Sequence, residues 1–222
     1  MDIYFIFVKM IKSQIEYKNK ISRIQIMSAE YFEKHGYLVI PNVLTPEACD
    51  LIYIQCKMIE EIKCYEKNIK TSEILLGDDQ VEKSFSYYAP LCCESLCMYL
   101  KPVIEKHINK ELLPTYTYMR IYYKGADLKK HTDREECEIS ASVCIHMKSE
   151  KPWDFFLTDK TGKNVSVSLN SGDIVVYSRY LEHWRDEYTG MEQTQTFLHY
   201  VDKNGPYTNR ILDSRKLMGL PK

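Results

Sequence analysis

The spacing of apolar residues changes character near residue 114, from a recurrence every three or four positions to alternation. The first part predicts helices and the second predicts strands. Ser28 can cap a short helix through Lys34 with Glu30 in its first turn, Gly36 is a natural stop, and Tyr37 to Ile40 reads as a strand. Thr45, Pro46 and Glu47 supply a cap, a proline at the first helical position and an acid near the positive end of the dipole. Ala48, Leu51, Ile52, Met58, Ile59 and Ile62 follow at helical spacing, so this second helix is expected to pack one face on a sheet. Residues 71–86 are polar and mixed, predicting a loop with a short helix. Helical spacing returns from Pro90 to Ile108, with Leu96, Leu100, Val103, Ile104 and His107 near one face and Pro102 expected to kink or break it.

From Pro114 onward, β-branched and aromatic runs cover residues 115–123, 138–146, 154–157, 165–169, 173–178 and 195–201, separated by Gly, Asn and Asp turns. Helices followed by many short strands predict an α+β, mainly β chain, with the strands in a sandwich or barrel. Alternation in the first run puts Tyr116, Tyr118, Arg120 and Tyr122 on one face, which reads for the first two as a plain tyrosine-rich sheet face. Residues 1–26 open with an apolar run broken at Lys9, short of the roughly 20 residues that span a bilayer. Asp2 stands where a signal peptide needs positive charge, so the segment is expected to be an N-terminal helical extension. Residues 203–222 have weak periodicity and are expected to form a surface tail.

Composition narrows the function. A chain of 222 residues, 45% hydrophobic, can bury one full core. Its formal net charge of -1 argues against a dedicated nucleic-acid binder or a polybasic membrane anchor. The eight cysteines, at 49, 56, 64, 92, 93, 97, 137 and 144, contain no CxxC pair and read as buried small hydrophobes of a reducing, cytoplasmic compartment. Cys92, Cys93 and Cys97 resemble a zinc fragment but lack a matching pair elsewhere.

The candidate chemistry lies at His131 and Asp133, two residues apart and therefore on one face of an extended segment. Such a pair is also a common surface hydrogen-bonding motif. If a neighbouring strand brings His183 alongside, two histidines and a carboxylate make a facial triad for a metal, with three positions open. The spacing Tyr122-x-x-Gly125-x-x-Leu128-x-x-His131-x-Asp133 resembles the prolyl 4-hydroxylase pattern of Fe(II)/2-oxoglutarate dioxygenases. Residues 28–52 are similar to the opening of phytanoyl-CoA dioxygenase-like members, and together the two stretches outline a domain over residues 27–202 with its strand core from about 114.

The resemblance implies a double-stranded β-helix, a jelly-roll or cupin-like core with N-terminal packing helices. It implies Fe(II) held by His131, Asp133 and His183, 2-oxoglutarate as cosubstrate and ascorbate as a stimulant. The implied reaction hydroxylates a small molecule or a peptide side chain with release of succinate and CO2, with no catalytic group beyond the metal ligands. Asp133, where family halogenases lack a carboxylate, implies hydroxylation. One departure stands out: the family anchors the distal carboxylate of 2-oxoglutarate with a basic residue early in a late strand, where this chain has Gln193, Thr194 and Gln195. Arg185, Arg134 and Arg120 are the substitutes, with Arg185 favoured because it follows His183 closely. Tyr122 occupies the tyrosine of the pattern, and Gln195 and His199 share a face that could reach the cosubstrate. The missing anchor also supports an alternative, a catalytically inactive jelly-roll module that binds a metal or ligand. Lys124, Lys129, Lys130, Arg134 and Arg179 could form a basic rim around the iron that suits an anionic or peptide-borne substrate, though such residues are more often simply solvated.

Overall fold

The structure is a computed structural model that describes residues 25–68 and 77–220. Of the expected extension over residues 1–26, residues 1–24 lie outside the described residues, as do residues 71–76 of the loop expected at 71–86. Helix α1 (25–35) stops where Gly36 takes φ +78 and its N–H returns to the Phe32 carbonyl at 2.7 Å. Strand β1 (Tyr37–Ile40) follows, then α2 (Pro46–Lys67), capped by the Thr45 hydroxyl on the Ala48 N–H at 3.3 Å. Helix α3 (Leu91–Ile108) runs unbroken through Pro102. Pro102 lies on the exposed side, where the carbonyl it leaves unbonded can be hydrated, so the expected break does not occur.

The strands are β2 (Ser84–Tyr88), β3 (Leu112–Tyr123), β4 (Leu128–His131), β5 (Ile139–Lys148), β6 (Phe155–Thr158), β7 (Asn164–Val167), β8 (Ile174–Ser178), β9 (His183–Arg185) and β10 (Glu192–Asp202). They form two antiparallel sheets, ordered β1-β8-β5-β10-β3-β2 and β4-β9-β6-β7, the mainly β, double-stranded β-helix arrangement. Both edges of the larger sheet come from before residue 114. Strand β2 falls in the stretch read as loop, and β4 and β9 are too short to show alternation.

Alternation on the larger sheet feeds two cores. Met119, Ile121, Ala141, Val143, Val176 and Leu198 meet the helices, where α3 contributes Leu96, Leu100 and Ile104. Tyr37, Cys144, Val175 and Tyr177 face the smaller sheet and pack on Phe155, Leu157 and Val167. The buried stripe of α2 is Cys49, Ile52, Cys56, Glu60 and Cys64. Leu51, Met58 and Ile62, expected on the packed face, are instead exposed, because small thiols let α2 approach the core more closely. The described residues contain no disulfide. The expected surface tail is also corrected: Asp213 and Arg215 are buried, and Arg215 forms an ion pair with buried Glu94 at 3.1 Å. Among the described residues no helix is long and apolar enough to cross a membrane.

Candidate metal centre and its pocket

Gly125 takes φ +85 in the turn that folds β3 back into β4, a conformation that favours glycine. Strand β4 then pairs with β9 so that His131 stands opposite His183, which puts both imidazoles on one face with ring centroids 4.3 Å apart. Asp133 lies just past β4, held by its N–H on the Arg179 carbonyl at 3.2 Å. Its Oδ1 is 3.8 Å from His131 Nε2 and 3.7 Å from His183 Nε2. The three donor atoms lie within 4.8 Å of one another.

The neighbours orient each donor. His131 Nδ1 is 2.8 Å from the Lys129 carbonyl and His183 Nδ1 is 3.0 Å from the Leu181 carbonyl. A carbonyl only accepts, so both Nδ1 atoms carry the proton and both Nε2 atoms present a lone pair. Burial pushes the His183 imidazole below its ordinary range, with Asp133 opposing, so the ring is neutral. Ser140 Oγ donates to Asp133 Oδ2 at 2.7 Å, which leaves Oδ1 turned to the histidines. Gln80, oriented by Arg120 on its Oε1 at 3.1 Å, donates its Nε2 to His131 Nε2 at 3.2 Å. Two neutral imidazole nitrogens and one carboxylate oxygen on one side fit a divalent first-row metal with open positions.

A cavity of about 300 Å³ opens beside these donors. Its wall includes Tyr122, Phe155, Tyr177 and Arg185. Arg185 is 3% exposed; one guanidinium nitrogen donates to the Trp153 carbonyl at 2.5 Å and Nη2 has no partner among the described residues. Its plane lies over the rings of Trp153 and Phe155, at 4.8 and 5.3 Å. A dry guanidinium with an unused donor is a receptor for a carboxylate.

The other two arginines are engaged. Arg120 pairs with Asp78 at 3.0 Å and bonds Ser84 Oγ at 2.8 Å. Burial pushes the Asp78 carboxyl up, but Arg120 more than offsets this and leaves it at about 2. Arg134 pairs with Asp213 at 3.2 Å and lies over the Tyr116 ring at 4.4 Å. Gln195 is buried, its Oε1 accepting from Ser142 Oγ at 3.1 Å, and is not part of the cavity wall, whereas His199 is.

Tyr116 and Tyr118 line the cavity, against the plain-sheet reading. Of the residues that could have formed a basic rim, Arg134 alone lines the cavity: Lys129 pairs with Asp127, Lys130 pairs with Glu182 at 2.8 Å, and Lys124 lines a separate surface groove. Sequence reasoning missed Gln80, Ser140 and Phe197. Only period-two alternation from Ser142 and Gln195 could have put Ser140 and Phe197 on inner faces, and nothing local marks Gln80.

No family model matches the sequence, and no curated protein matches it. Solved structures do match. HygX from Streptomyces hygroscopicus, with nickel and 2-oxoglutarate bound, superposes with TM-score 0.60 at 14% identity, covering 80% of this chain and 87% of that one. A prolyl hydroxylase from Trichoplax adhaerens, in complex with a hypoxia inducible factor peptide fragment, gives 0.61 at 12% identity over 90% of this chain and 96% of its own. An oxidoreductase of the 2OG-Fe(II) oxygenase family from Burkholderia pseudomallei gives 0.59 at 12%, covering 84% and 93%. The order of strands, the cavity between the sheets and these superpositions agree on one conclusion: the chain has the same fold as these solved structures, a double-stranded β-helix.

Proposed function

We propose that the chain is an Fe(II)- and 2-oxoglutarate-dependent dioxygenase that hydroxylates a small molecule or a peptide side chain. His131, Asp133 and His183 would hold the metal, and Arg185 would anchor the distal carboxylate of the cosubstrate. The observation that carries this reading is the unbonded Arg185 Nη2 in the same cavity wall as the three ligands. When bound, iron and 2-oxoglutarate supply the oxidising power, with succinate and CO2 as coproducts of O2 consumption.

The chain's own residues bind and orient. The Lys129 and Leu181 carbonyls hold the imidazoles in the coordinating tautomer, and Ser140 holds Asp133 by its far oxygen. Trp153 and Phe155 cover the Arg185 guanidinium and keep water from the anchor. Tyr116, Tyr118 and Phe197 also wall the cavity, where a substrate would bind. Arg185 also weakens the case for an inactive binding module, which rested on a missing anchor.

The test is succinate release from the full chain given Fe(II), ascorbate and 2-oxoglutarate. Truncating one member of a buried charge pair costs about 2 to 5 kcal/mol, so Arg185→Ala is expected to raise the KM for 2-oxoglutarate about thirty-fold to several-thousand-fold. Iron affinity should stay nearly unchanged, and Arg185→Lys should recover part of the loss. An unaltered KM in Arg185→Ala refutes the anchor. Turnover that survives His183→Ala refutes the ligand set.

A further inference from the structure

A second group of ligand-type side chains lies behind the triad. We propose that Asp133, Cys137 and His199 form a further metal site, for a borderline-soft divalent cation such as zinc, which shares the Asp133 carboxylate with the triad. One ligand atom from each of the three lies within 4.8 Å of the others. Cys137 ends the 3-10 turn Glu135–Cys137 that directly follows Asp133, and His199 comes from β10, where it stands opposite Ser140 of β5. The fold therefore converges three separate elements on one point.

The chemistry of the donors differs from that of the triad. A thiolate, an imidazole and a carboxylate are the common ligands of zinc, whereas the triad has no sulfur. Cys137 and His199 are 2% and 6% exposed, and two anionic ligands would neutralise a divalent ion there. Asp133 can serve both sites because its oxygens diverge. Oδ1 faces His131 and His183, and Oδ2 faces Ser140 Oγ, itself 3.0 Å from His199 Nδ1.

The Tyr116 hydroxyl, 3.2 Å from Cys137 Sγ, stands nearby as a fourth oxygen. Arg134, stacked on Tyr116, opposes a cation, but Asp213 and Glu136 pair with it at 3.2 and 3.6 Å. Without a metal the same residues form a hydrogen-bonded knot around Ser140, so the decisive question is whether the thiol ligates.

The probe is Co(II) added in excess to the full chain, read by the near-ultraviolet absorption of a cobalt–thiolate bond. The band is expected in the unmodified chain, is expected to persist in the His131→Ala/His183→Ala double variant, and is expected to vanish in Cys137→Ser and Cys137→Ala. Because the triad has no sulfur, the band is blind to the triad, and the dioxygenase reading can fail while this one stands. X-ray absorption of the zinc-loaded His131→Ala/His183→Ala chain counts sulfur ligands directly. One sulfur per zinc in the triad-deleted chain supports the site. No thiolate band, no sulfur, or a band that survives both Cys137 substitutions overturns it.

Discussion

Ser140 and His199 govern how the Asp133 carboxylate is presented, and both titration and geometry pass through them. Burial holds the His199 imidazole down to about 4, although Asp133 works in the other direction. In the unfolded chain the same ring takes a proton near its ordinary value of about 6.5. The folded state therefore binds the proton later as pH falls. Its stability is intact above about pH 6.5 and declines as pH drops from there toward about 4, with no further loss from this group below that. The loss is on the order of 3 kcal/mol for His199, and burial of His183 adds to the same slope. Urea unfolding of metal-free protein from pH 7 to pH 4 is expected to show this decline, and His199→Asn should flatten most of it. A profile that His199→Asn leaves unchanged would place the pH sensitivity elsewhere.

At the scale of elements, α2 carries the clearest difference between what its sequence predicts and what it does. The cap was legible because a cap is a local event: Thr45 precedes Pro46, and its hydroxyl meets the Ala48 N–H. Thr45→Ala is expected to destabilise the protein by about 1 kcal/mol, seen as a lower urea midpoint with the same slope. The buried stripe was not legible, because Leu51, Met58 and Ile62 have the same helical spacing as Ile52 and outweigh it in hydrophobicity. What decides is the partner surface. The thiols of Cys49 and Cys56 are buried with Ile52, while Tyr123 and Lys57 satisfy the buried Glu60. Strands β4 and β9 show the converse, since neither has a pattern of its own and each exists because its partner aligns His131 with His183.

Over the whole molecule, the C-terminal segment closes the base of α3 onto the sheet. Arg215 spans Glu94 and the Thr115 carbonyl, bonded at 3.1 and 2.9 Å, and Asp213 accepts from the Tyr88 hydroxyl at 2.6 Å. Removing one member of a buried pair strands the other, so Arg215→Ala is expected to cost about 3 to 5 kcal/mol. Thermal melting checks this, and a shift no larger than that of an exposed substitution would return the tail to the surface. The sequence alone determined the mainly β class of the fold, the cap of α2 and the ligand set His131, Asp133 and His183 as a candidate. The cap and the alternation rest on contacts or periods within a few residues, which spacing can express, whereas His183 stands fifty positions from Asp133 and joins the set through strand pairing. Tertiary structure alone decided that Arg185, rather than Arg120 or Arg134, keeps an unbonded donor. The three share one charge and one chemistry, and they differ only in whether Asp78 or Asp213, far away in the chain, folds back to meet them. The same holds for His199, which lies 62 positions from Cys137 and comes to Asp133 and Cys137 because β10 pairs with β5. A sequence records which groups are available, and long-range pairing decides which of them remain unsatisfied.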